Sequence, residues 1–155
     1  MDKKKQGFIL NEKTGYFQHH GVDVMAFDDI YPAGHQSGVS ILMHGKRVAT
    51  NGDIRFEQTP GQWQPLPKQG ERVLSSEENT ITTSLHYPDM DNHLKGFNPM
   101  IYPDYTFDYT VTVKGEGGAV LVTVDLDKPI PDEYIGKMCF NLELFPGELF
   151  GKPWI

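Results

Sequence analysis

Twenty-one acidic side chains run through this chain of 155 residues, and several are close together, among them Asp28-Asp29, Glu77-Glu78, and Asp125 with Asp127. Two carboxylates across a cleft can break a glycosidic bond, one as acid and the other as base or nucleophile. With so many acids some pair always lies near another, so proximity alone selects none. Asp125 and Asp127 fall on the polar face of an expected strand and read as a solvated face. Asp28-Asp29 ends a strand just before a turn, where short polar side chains cap the backbone. Asp89, Asp91 and Asn92 gather three oxygen-bearing side chains, as a calcium loop would, but the rest of an EF-hand pattern is missing.

Six histidines, His19, His20, His35, His44, His86 and His93, contain no His-x-x-x-His pair, and Cys139 is the lone cysteine. A zinc set is therefore not spelled out. A small β-sandwich enzyme, such as a lyase or epimerase, would need His44, His86 and His93 to converge with carboxylates on one concave face. Cys139, in the strand-like run Met138-Cys139-Phe140, is expected as a small core residue, since no basic partner is named for it. Neither a Gly-x-Ser-x-Gly elbow nor a phosphate loop occurs, and no cofactor is implied. Trp63, Tyr102 and Trp154 lie in or beside loops. They either anchor those loops to the core or stack on the C–H face of a sugar ring as a carbohydrate-binding platform.

The net charge of −7 repels phosphate backbones, which argues against nucleic acid as a partner. The basic run Lys3-Lys4-Lys5 reads as a solvated tail. No run approaches the ~20 apolar residues of a membrane span.

These side chains must be positioned by strands. Residues 1–14 form an N-terminal segment with a possible edge strand at Phe8-Ile9-Leu10, and residues 15–155 form one domain. Val22–Phe27 partly alternates. Gly38–Met43 and Arg47–Thr50 make a hairpin about His44-Gly45-Lys46. Asn51-Gly52 is a strong turn signal, followed by a further strand from Asp53. The segment 59–70, with its three prolines, must be irregular. Arg72–Leu74 and Thr80–Tyr87 form a second hairpin. The third is the clearest: Tyr105, Phe107, Tyr109, Val111 and Val113 alternate with polar residues. Gly115–Gly118 then reverses the chain, and Val120, Val122, Val124 and Leu126 alternate again. One short helical turn near Pro131–Gly136 and a last strand near 137–145 complete the chain. Nowhere do apolar residues recur at helical spacing over ~11 residues. Some ten strands and little helix predict an all-β, two-sheet antiparallel sandwich, immunoglobulin-like or larger. The apolar end, Leu149–Ile155, suggests a piece of a longer chain.

Four stretches carry a resemblance: Gly21–Phe27, His44–Arg55, Thr59-Pro60-Gly61-Gln62-Trp63, and Gly136–Leu144. Together they resemble the N-terminal region of large bacterial glycoside hydrolases of family 9, the cellulase-like group, over roughly residues 15–155. Ala49-Thr50-Asn51-Gly52-Asp53 and Thr59–Trp63 are the most specific pieces. In that group a β-sandwich precedes a helical barrel, which holds an aspartate pair in an Asp-Ala-Gly-Asp-type motif and a distant glutamate. Neither motif nor barrel occurs here, so no catalytic residue carries over. The resemblance implies an accessory, non-catalytic domain whose partner is the catalytic domain of the same parent chain. It also implies an exported parent acting on an oligo- or polysaccharide.

Overall fold

The computed structural model describes residues 7–28, 38–57, 65–91 and 104–153. Ten strands form two antiparallel sheets. The first contains β1 (Ile9–Asn11), β2 (Tyr16–His19), β3 (Val22–Ala26), β4 (Val39–Met43), β5 (Lys46–Phe56) and β10 (Met138–Leu144), in the order β1-β2-β3-β4-β5-β10. The second contains β6 (Lys68–Ser75), β7 (Thr80–Tyr87), β8 (Phe107–Glu116) and β9 (Ala119–Leu126), in sequence order. Among the described residues helix is confined to a 3-10 turn, Asp132–Tyr134, and one short turn, α1 (Pro146–Leu149). The chain is an all-β sandwich, as its alternation predicts. Among the described residues no helix is long and apolar enough to cross a membrane.

The core lies between the sheets, with Phe17, Val24, Ala26, Val39 and Phe56 from one and Ile81, Leu85, Tyr87, Phe107, Tyr109, Val111 and Val113 from the other. On β8, and on β7 from Ile81 onward, burial alternates residue by residue, so each strand gives one face to this interior. At one end the aromatic rings close a circuit. Phe56 meets Tyr87 edge-on, Tyr87 stacks on Phe107, Phe107 on Tyr105, and Tyr134 of the 3-10 turn bridges Tyr105 back to Phe56. At the other end Asn79, in the left-handed region at φ 58°, joins the two sheets. Its Oδ1 accepts from the Leu10 N–H at 2.8 Å, and its Nδ2 donates to the carbonyls of Phe8 and Gly115, each at 2.8 Å. Arg72 makes a third tie: its guanidinium donates to the carbonyls of Ala26 (2.7 Å) and Gly15 (2.6 Å).

Three expectations are corrected. Asn51-Gly52 is not a turn but a bulge inside one eleven-residue strand. Asn51 does take the left-handed conformation (φ 54°), yet β4 and β10 pair with β5 on both sides of it. Both neighbours skip one residue there, which is how a bulge registers on its partners. Gly52 is required for packing, because a Cβ at that position would stand 2.6 Å from Val39 Cβ. The extra strand β2 escapes the periodicity, since only Phe17 of its four residues is buried. Cys139 is exposed rather than in the core, and its strand β10 carries mostly exposed residues, because it is the outermost strand of the larger sheet.

Candidate functional site

The outer face of the smaller sheet bears the densest polar chemistry. Antiparallel pairing sets Lys68 opposite His86 and His86 opposite Asp108, while Asp127 follows the last residue of β9. A second row holds Ser84 opposite Thr110 and Thr110 opposite Asp125. Directly opposed residues share a face, so these side chains form a ladder across the sheet. They line an open groove of about 580 Å³, with Leu126 and Tyr109 also contributing to its walls.

The first row is tied together. His86 Nδ1 lies 2.7 Å from Asp108 Oδ1. An ionised carboxylate only accepts, so Nδ1–H is the donor of this bond and Nε2 stays outside it. Asp108 is fixed in turn: its N–H donates to Asp127 Oδ1 (3.1 Å), and the Asp127 N–H donates to its carbonyl (2.9 Å). Ser84 has a different task. In β6 two residues, Gly70 and Glu71, stand opposite it as a bulge, and its Oγ accepts from the Glu71 N–H at 2.9 Å. That hydroxyl is committed to holding the bulge and does not complete a nucleophile–histidine–aspartate relay with His86. Lys68 donates to Asp91 at 2.7 Å, and this hydrogen bond, then the charge of Asp91, holds its ammonium above the ordinary lysine value.

A second polar feature lies beneath the groove, inside the sandwich. Tyr109 Oη donates to the Asp53 carboxylate at 2.9 and 3.1 Å, and the Ile54 N–H donates to Asp53 Oδ1 at 2.7 Å. Burial dominates both of these groups. It pushes Asp53 up to about 6, against the opposing pull of its Ile54 and Tyr109 hydrogen bonds. It also raises the Tyr109 phenol, helped by the neighbouring Asp53 charge.

The residues singled out from the sequence fall elsewhere. Trp63, Tyr102, Trp154 and Asn92 lie outside the described residues, as do Asp29, His35 and His93. Asp89 caps the Asp91 N–H at 3.0 Å, and Asp91 faces Lys68. Among the described residues no three His, Cys, Asp or Glu side chains group in a way that would hold a metal ion. His44 sits in the β4–β5 turn and His86 in the other sheet, so those two do not converge. Asp125 and Asp127 are on the solvated face as expected, but as part of the groove. The groove was missed because its signal, the alternating polar residues of β7, β8 and β9, marks every solvent-facing strand alike.

The fold and these two features define a β-sandwich with a polar outer groove and a buried carboxylate. No family model matches the chain, and no curated protein or solved structure matches it.

Proposed function

We propose that this chain is a non-catalytic accessory domain of a glycoside hydrolase, packing on a separate catalytic domain and supporting it. The observation that carries this reading is a strip of chain rich in exposed apolar side chains. Nine large apolar side chains stand exposed among the described residues, and five of them, Ile135, Phe140, Leu142, Leu144 and Phe150, fall within one stretch of sixteen residues, so the exposure is concentrated rather than scattered. Phe150 is 89% exposed and Ile135 69%. Burying a large apolar side chain is worth about 1.5–3 kcal/mol, which makes such a strip a natural docking face. The family 9 resemblance supports the same reading. Three of its four stretches form β3, β5 and β10 of the larger sheet, with β10 central to the strip, and the fourth, 59–63, lies outside the described residues. The reading brings with it an exported parent and a polysaccharide or oligosaccharide substrate for that parent.

The test is the parent gene and its product. A helical-barrel glycosidase domain is expected in the same gene. Expressed separately, that domain should bind this chain in size-exclusion chromatography and lose it on the double substitution Phe140→Lys, Leu142→Lys. The chain alone should release no sugar from glucan oligosaccharides. A parent without a glycosidase domain, or turnover by the chain alone that an Asp→Asn change abolishes, overturns the reading.

A further inference from the structure

We propose that the groove across β6–β9 binds a short neutral oligosaccharide through hydrogen bonds, with His86, Asp108, Thr110 and Asp125 as its contact residues. The inference rests on the glycosidase reading only for the choice of sugar; the groove and its chemistry stand apart from the docking strip, whose strand β10 belongs to the other sheet.

Three features carry it. The groove's volume, about 580 Å³, falls within the range of clefts that hold small ligands, roughly 300–1,000 Å³. Two of its polar groups are held in place before any ligand arrives: Asp108 contacts the His86 ring at 2.7 Å, and Asp127 holds the Asp108 backbone through its carboxylate and its N–H. Such preorganisation lowers the ordering cost of binding. The donor and acceptor pattern then selects the ligand. Carboxylates only accept, the Thr110 hydroxyl does both, and His86 Nε2 accepts or donates with the protonation of the ring. Sugar hydroxyls, each both donor and acceptor, satisfy that mixture.

The alternatives fit less well. An anion would meet Asp108, Asp125 and Asp127, while the one ammonium in the row, Lys68, is already bound to Asp91. A cation would find Lys68 in the same row as the carboxylates. The recognition is therefore by hydrogen bonding rather than by charge, and the contact residues are none of the loop aromatics.

The probes are neutral hexaoses, namely cello-, xylo-, manno- and maltohexaose, each titrated against the ¹⁵N-labelled chain to about 5 mM, beyond a millimolar Kd. At least one should shift amide signals on β7, β8 and β9 around His86, Asp108, Thr110 and Asp125. Asp108→Asn should weaken that binding by about tenfold, since a hydrogen bond to a charged group is lost. Thr110→Val should weaken it too, with the rest of each spectrum unchanged as proof of folding. Four hexaoses without effect overturn the proposal, as do shifts unaltered by both variants, or shifts produced by spermidine and by no sugar. None of these results bears on the docking strip, whose test is the separately expressed catalytic domain.

Discussion

The β7–β8 hairpin and strand β10 carry the same kind of sequence pattern, apolar residues alternating with polar ones, and the fold uses them in opposite ways. On β7 and β8 the apolar face is buried to the last residue by the sheet opposite, and the polar face lines a groove. On β10 Phe140, Leu142 and Leu144 alternate just as cleanly, yet all three are between 37% and 49% exposed. Alternation therefore tells that a strand has two unlike faces. It does not tell what covers the apolar one. Where a second sheet supplies the cover, the pattern is a core signal; at the outer edge of the larger sheet the same pattern leaves apolar side chains exposed.

The sharpest way to break this contrast is to truncate one aromatic in each region. Phe107, 2% exposed and stacked between Tyr87 and Tyr105, should lose about 3–5 kcal/mol on Phe107→Ala, read as a lower urea midpoint. Phe140→Ala should change the isolated chain by less than about 0.5 kcal/mol, within the range of surface substitutions. Equal losses at the two positions would show that β10 is covered after all.

A smaller effect separates the interior itself into apolar and polar parts. The Asp53 carboxyl is pushed from 3.8 to about 6 by burial. Between those values the folded chain holds a proton that the unfolded chain has released. Its contribution is therefore fully present below pH 3.8, falls as pH rises through 6, and is flat above. The full span is on the order of 3 kcal/mol. Asp53→Asn keeps an acceptor for Tyr109 and cannot ionise, so stability relative to the variant should decline from acid to neutral pH. A pH-independent difference in denaturation midpoints would show that Asp53 ionises in the fold as it does in the unfolded chain.

Next in size is the tie between the sheets. Asn79→Ala removes the side chain that serves three backbone groups and places alanine at φ 58°. A loss of about 2 kcal/mol is expected, with faster amide exchange at Leu10. Unchanged exchange there would show that β1 is held by other contacts.

How much of this was legible depends on how local the cause is. The hairpins of β6–β9 could be read from alternation and turn residues, because both act within a few positions of chain. Asn51-Gly52 was misread, since the same permissive backbone serves a turn or a bulge, and only pairing with β4 and β10 decides. Cys139 was misplaced for a related reason: its strand was visible, its position at the sheet edge was not. Asp53 stood in plain view inside a strand, but its burial comes from Tyr109, fifty-six residues away. The groove is the least legible feature of all, because concavity belongs to a whole sheet.

The finest probe of the contrast is a single oxygen. Thr83 lies on the buried face of β7, between Ile81 and Leu85, with no exposed surface. Its Oγ1 has no hydrogen-bond partner among the described residues. A hydroxyl taken from water without a partner is a standing loss, and valine has nearly the same shape without it. Thr83→Val should therefore raise the urea midpoint, by about 1 kcal/mol of stability. On the solvated face of the same strand Thr82 shares its hydroxyl with Thr112 at 3.4 Å, so Thr82→Val should bring no such gain. If both substitutions behave alike, the two faces of β7 do not differ in solvation as the fold requires. If Thr83→Val destabilises, the hydroxyl has a partner inside the sandwich, and the interior is more polar than its apolar neighbours indicate.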